Sequence, residues 1–113
     1  MAGKLLVIIS SGEEAREKAV TGLRFAVLSK KFKWMDEVEV VLFGPSEKLA
    51  TKDEEFKDLI KEGSDIGIVP IACSNIAQRD NITESLKHLG FSVDPIGPVI
   101  TGFMNKGFVP MTF

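Results

Sequence analysis

The residue with the clearest chemical potential is Cys73, the single cysteine of this 113-residue chain. It directly follows a predicted strand and precedes a predicted short helix, with Ser74 and Asn75 beside it. A thiolate at a helix N-terminus meets unpaired N–H groups and the positive end of the helix dipole, which lower its pKa. The alternative is a structural thiol, because free cysteines are often buried as small hydrophobic side chains. The sequence alone leaves both interpretations open.

Two further loops follow predicted strands, at Ser10–Gly12 and at Phe43–Gly44. In parallel sheets ligands bind at the carboxyl ends of the strands, so we expect these loops to lie around the same crevice as Cys73. The predicted pocket residues are Ser10, Ser11, Gly12, Phe43, Gly44, Ser74 and Asn75. The first loop could also be a plain helix N-cap, because it matches no phosphate-binding motif and Glu13 and Glu14 would repel a phosphate.

Alternating strand and helix patterns surround these loops. The strands are predicted at Lys4–Ile9, Val38–Phe43, Asp65–Ile71, Val93–Ile100 and Phe108–Phe113. The helices are predicted from Glu13 to Lys33, after a capping box at Thr51–Glu54, briefly after Cys73 to about Arg79, and after a side-chain cap at Thr83 to a stop at Gly90. This alternation predicts one domain over residues 1–113, a three-layer, Rossmann-like α/β/α fold with a mostly parallel sheet of about five strands.

Composition excludes several classes of function. The net charge of −2 and the scattered lysines and arginines form no basic stripe, so no nucleic-acid partner is expected. With one cysteine and one histidine, His88, the chain has no disulfide and no predicted metal site, and no cofactor motif is found. The apolar run near Met1 is shorter than the ~7–15 residues of a signal peptide, and no stretch approaches a membrane span. We therefore expect a cytoplasmic protein without a membrane partner.

The last 23 residues concentrate large apolar side chains. These are Phe91, Phe103, Met104, Phe108, Met111 and Phe113. Large apolar patches on a small domain usually mark an interface, so the tail predicts a homo-oligomer. The alternative is that the tail completes the core of a single chain.

The chain resembles the DsrE/DsrF-like family over nearly its whole length. The resemblance rests on the opening apolar strand, the loop Ala72-Cys73-Ser74-Asn75, the step Gly90-Phe91-Ser92-Val93, the pair Phe43-Gly44 and the glycine-rich tail. Ser74 departs from a common form of the loop, in which glycine follows the cysteine. The resemblance implies an oligomer that relays sulfur as a persulfide on the loop cysteine, here Cys73, between a protein donor and a protein acceptor.

The resulting hypothesis is a sulfur carrier, or sulfurtransferase-like protein, without a full catalytic set, so whether it is an enzyme stays open. A dithiol oxidoreductase is excluded because its mechanism needs a second cysteine. The alternative is a non-catalytic oligomeric protein that binds a small ligand or a partner in the same crevice. A flavodoxin-like nucleotide-binding domain is disfavoured by Glu13 and Glu14.

Overall fold

The computed structural model describes residues 3–113, so Met1 and Ala2 of the apolar start lie outside the described residues. The strands are β1 (Lys4–Ile9), β2 (Glu37–Leu42), β3 (Ile71–Cys73), β4 (Ser92–Asp94) and β5 (Val109–Thr112). The helices are α1 (Arg16–Lys31), α2 (Ser46–Ala50), α3 (Glu54–Asp65), α4 (Ser74–Arg79), α5 (Thr83–His88) and α6 (Ile96–Asn105), with a 3-10 turn at Glu13–Ala15. Every helix in this part of the chain is too short or too polar to cross a bilayer.

The five strands form one sheet in the order β4-β3-β2-β1-β5, and every neighbouring pair is parallel. The chain steps from β1 to β4 in one direction and then returns past β1 to β5. Because crossovers between parallel strands are right-handed, the steps in one direction place their helices on one face and the return places α6 on the other. The predicted three-layer α/β/α architecture is confirmed, and the sheet is entirely parallel.

The first face of the sheet carries the larger core. Helices α1 to α5 all contribute buried side chains to it, among them Leu23 of α1 and Phe56 of α3. Asp53 caps the N-terminus of α3 by accepting a hydrogen bond from the Phe56 N–H at 3.0 Å, and it also pairs with Arg16, the first residue of α1. Hydrogen bonding to the Arg16 guanidinium lowers the pKa of the Asp53 carboxyl.

The second face is covered mainly by α6. Its fully buried cluster is small and consists of Leu6, Val41, Cys73, Ile96 and Phe108. The side chains that surround this cluster are only partly buried, namely Ile8, Ile71, Ile76, Val99, Ile100 and Phe103. Cys73 therefore lies on the thinly covered side of the sheet.

The predicted strand at Val93–Ile100 is wrong in most of its length. Strand β4 ends at Asp94, and α6 begins at Ile96 after Pro95. Pro98 lies in the first turn of α6, where a backbone N–H has no acceptor within the helix. The N–H that proline lacks therefore costs no hydrogen bond there. The β-branched residues Val99 and Ile100 suggested a strand, but they pack as one side of a helix against the second face of the sheet.

Two other boundaries differ from the predictions. Strand β3 occupies Ile71–Cys73 rather than Asp65–Ile71, because α3 continues to Asp65 and the chain then turns through Gly67 at a φ of +93°. The cap of α3 is Asp53 and not Thr51, whose hydroxyl instead bonds the Lys48 carbonyl at the end of α2. The residue before α5 is Ile82, and the expected Thr83 side-chain cap is absent there.

The apolar tail divides between core and surface. Phe91 and Phe108 are buried, as the single-chain alternative requires, whereas Met104 and Met111 are 48% and 42% exposed. The tail therefore completes part of the core and also leaves apolar area uncovered.

Candidate functional site

The loops that follow β1 and β2 lie against each other at the carboxyl end of the sheet. The Ser46 N–H donates to the Ser10 carbonyl at 3.2 Å, and the Ser46 hydroxyl donates to the Ile9 carbonyl. Gly44 has a φ of +131°, and a Cβ there would lie 2.8 Å from the Ser10 Oγ. The structure thus brings Ser10 and Gly44 into contact, and Gly12 lies equally close to Pro45 in the second loop.

The N–H groups of the first loop are already bonded within the chain. The Ser10 and Ser11 N–H groups donate to the Phe113 carbonyl at 2.9 and 3.3 Å. The Gly12 N–H donates to the Glu14 carboxylate at 3.0 Å. The chain's own carbonyl and carboxylate occupy the donors that an anion would need, so this loop serves as a structural turn.

Cys73 ends β3 and is the residue that precedes α4. Its exposed fraction is 5%, and it packs beside Leu6, Ile96 and Phe108. Helix α4 has six residues, so its aligned peptide dipoles are few. Of the two interpretations that the sequence left open, the buried structural thiol describes this conformation.

Ser74, Asn75 and Phe43 lie nearer the surface than Cys73. Ser74 is half-buried, Asn75 is exposed, and Phe43 is 44% exposed. They stand at the ends of β2 and β3, which are neighbours in the sheet.

A buried carboxyl group, Glu47 of α2, stands beside the Cys73 backbone. Its side chain is inaccessible to solvent, and its Oε2 accepts a hydrogen bond from the Cys73 N–H at 3.3 Å. Its Oε1 is buried and has no hydrogen-bond partner. Burial raises the pKa of Glu47 to about 7, although the hydrogen bond from the Cys73 N–H acts in the opposite direction.

Sequence reasoning missed Glu47. It lies in the first turn of a short helix, where a glutamate is ordinarily an exposed group that favours the helix dipole. The helical spacing around Ser46, Leu49 and Ala50 gives no sign that the carboxyl turns inward, since that orientation depends on the loop after β3.

An open cleft of about 310 Å³ lies next to this position. Its lining residues are Glu13, Glu14, Pro45, Lys48, Arg79 and Asp80. A larger cleft of about 710 Å³ contains none of the predicted pocket residues and includes His88, which is exposed at the end of α5. Among residues 3–113, no cluster of three or more His, Cys, Asp or Glu side chains is placed to hold a metal ion.

Comparisons with known proteins establish the fold. No family model matches the chain, and no curated protein matches it significantly. A conserved protein of unknown function from Bacteroides thetaiotaomicron, BT1422, has a similar structure with a TM-score of 0.83 and 22% identity, over 97% of this chain and 95% of that one. The ychN protein from E. coli gives a TM-score of 0.76 at 11% identity, over 97% of this chain and 99% of that one.

A third similar structure is MTH1491 from Methanobacterium thermoautotrophicum, also a protein of unknown function. Its TM-score is 0.68 at 17% identity, and the match covers 100% of both chains. Identities this low identify a shared architecture and carry no activity from one protein to another. The chain is similar in fold, over nearly its full described length, to these three small α/β proteins.

Proposed function

We propose that this protein is a sulfur carrier that holds a sulfane sulfur on Cys73. The observation that carries the proposal is the position of the single cysteine. Cys73 ends the inner strand β3, on the thinly covered face of the sheet, and its backbone N–H is bonded to a buried carboxyl group. The resemblance to the DsrE/DsrF-like family points to the same residue.

The transfer balances with one cysteine. The Cys73 thiolate attacks the outer sulfur of a donor persulfide, R–S–SH, forming a new S–S bond as the donor S–S bond breaks. The donor leaves as a thiolate and takes up the proton that Cys73 lost. An acceptor thiolate then attacks the outer sulfur and returns Cys73 to its thiol form, so no net oxidant or reductant is needed.

The burial of Cys73 sets a structural requirement for this reaction. At 5% exposure the sulfur cannot meet a protein thiol unless the cover moves. The cover is mainly α6, whose single fully buried residue is Ile96. Because α6 buries little apolar surface, its displacement costs less than opening the α1 and α3 side of the sheet.

Intact-mass measurement after incubation with a low-molecular-weight persulfide tests the proposal. We expect the wild type to gain about 32 Da, the mass of one sulfur atom, and to lose it again when a thiol acceptor is added. Cys73→Ser is the matched control, because it removes the sulfur and nearly preserves the volume. No gain by the folded wild type, or an equal gain by Cys73→Ser, would overturn the proposal.

The burial of Cys73 specifically favours a second candidate function. A non-catalytic protein that binds a small ligand or a partner near the same loops would use Cys73 only as a core side chain. In that case the thiol would stay unmodified by persulfide, while the cleft beside Pro45 and Arg79 would be the binding surface.

Both candidate functions include assembly of the chain into a homo-oligomer. The exposed apolar side chains Met104, Val109 and Met111 lie on the tail, with Val109 60% exposed. A second copy of the chain covering this area would remove it from water. Light scattering on the purified protein checks this, and a clean monomer mass at micromolar concentration would contradict it.

A further inference from the structure

Glu47 is a buried ionisable group that the transfer chemistry above does not use. It comes from α2, yet its carboxyl reaches across to the backbone of Cys73 at the end of β3. One of its oxygens is bonded and the other has no partner. A fully buried polar atom without a partner is rare in proteins and costs free energy, which favours a functional explanation.

We propose that Glu47 is the positioning residue of Cys73, holding its backbone N–H in place and changing the reactivity of its thiol by gaining or losing a proton. The inference rests on the proposed role of Cys73 as the reacting atom. Glu47 acts through the Cys73 backbone and through its charge, and we assign it no contact with the transferred sulfur.

The positioning part follows from the hydrogen bond. Cys73 lies where strand β3 passes into α4, one residue beyond the last pair between β2 and β3. Its N–H therefore faces a position where β2 has already ended. Glu47 supplies the acceptor that a longer β2 would have supplied. Without it the Cys73 N–H would be buried and unsatisfied.

The charge part follows from proximity. An ionised carboxylate bonded to the Cys73 N–H places a negative charge beside the residue that carries the thiol, and like charges disfavour each other's formation. The Cys73 thiol should therefore react more slowly once Glu47 has lost its proton. The raised pKa of Glu47, about 7, puts this change in the range where thiols begin to react.

Other charged groups also face this pair. The Asp80 carboxylate raises the pKa of Glu47 and the Arg79 guanidinium lowers it. Asp94 lies opposite Cys73 in the register of β4, where its carboxylate accepts a hydrogen bond from the Ser92 hydroxyl. These groups differ from Glu47 because none of them is fully buried and bonded to the Cys73 backbone.

Glu47→Gln separates the two parts of the proposal. The glutamine keeps an oxygen that accepts the Cys73 N–H, but it cannot ionise. Glu39→Gln is the matched control, since Glu39 is a half-buried carboxyl on β2 whose pKa is also raised by burial, while its charged neighbours are Lys30, Glu37 and Lys106.

The experiment measures the rate of Cys73 alkylation by iodoacetamide against pH, with intact mass as the readout. We expect the midpoint of the profile to fall by about one pH unit in Glu47→Gln, raising the rate below that midpoint about tenfold. Glu39→Gln should keep the wild-type midpoint. Equal midpoints in wild type and Glu47→Gln would overturn the charge coupling.

A second readout does not depend on a reactive thiol. The ¹H–¹⁵N signal of the Cys73 amide should shift with pH near neutrality in the wild type and stay constant in Glu47→Gln, because its acceptor no longer titrates. If Cys73 is never alkylated while the amide titrates, the sulfur-carrier proposal fails and the positioning role stands. An amide signal that does not respond to pH in the wild type would overturn the positioning role.

Discussion

The two faces of the sheet differ in how much helix covers them. On one face, five helices contribute to a continuous core that includes Leu23 and Phe56. On the other, the buried cluster has five residues, one of which is Ile96 of α6 itself, and partly exposed side chains surround them. The difference follows from the strand order, since right-handed crossovers send α6 alone to the second face. The comparison teaches that the stability of the fold and the access to Cys73 depend on opposite sides of one sheet.

Truncating one phenylalanine on each face should give the largest contrast. Phe56 is fully buried on the first face, so Phe56→Ala should lower the free energy of unfolding by about 3–5 kcal/mol through lost burial and a cavity. Phe103 of α6 is partly buried, so Phe103→Ala should cost about 1–2 kcal/mol. Urea unfolding followed by circular dichroism measures both values.

Similar decreases in the free energy of unfolding for the two variants would contradict this difference between the faces, because they would mean that α6 is packed as tightly as α3. If Phe56→Ala does not fold, Leu59→Ala on the same helix and face, with 7% exposure, provides the same test with a smaller side chain.

The Glu47 carboxyl should make a smaller contribution to the free energy of unfolding, and this contribution should depend on pH. The folded chain keeps the Glu47 proton up to a pKa of about 7, whereas the unfolded chain releases it near its ordinary value of 4.5. Between these values the folded state binds more protons, so this group's contribution to stability falls as pH rises. Above pH 7 the buried Glu47 carboxyl is ionised, and the full cost of burying that charge is subtracted from the free energy of unfolding.

Glu47→Gln removes that penalty. The stability of the variant relative to the wild type should therefore rise by about 1–3 kcal/mol between about pH 5 and about pH 8. Urea unfolding at several pH values measures this difference. A difference that is constant across this range would show that Glu47 titrates normally in the folded protein.

The sequence was sufficient for the architecture because hydrophobic pattern and chain order act locally. The apolar run of β1 and the glycine stops after β2 and α5 predicted the layers, and parallel pairing followed from the alternation of elements. Val99 and Ile100 misled because β-branched residues favour strands unless a helix has one apolar side to bury. Only the packed structure shows that α6 has such a side.

The site was less predictable than the fold. The loops at Ser10 and Gly44 could be placed together because strands end at one edge of a parallel sheet. That the Phe113 carbonyl takes the N–H groups of Ser10 and Ser11 depends on the position of β5 beside β1, which the local sequence does not encode. The burial of Cys73 and the inward turn of Glu47 likewise depend on contacts between distant segments.

The most direct test of the account is the urea dependence of Cys73 alkylation in the folded protein, at concentrations below the unfolding transition. If the thiol becomes accessible through local displacement of α6, little surface is exposed, so the rate should be nearly independent of urea. Cys73→Ser controls for modification elsewhere. A rate that rises with urea as steeply as global unfolding predicts would contradict the account, because Cys73 would then react only in unfolded molecules.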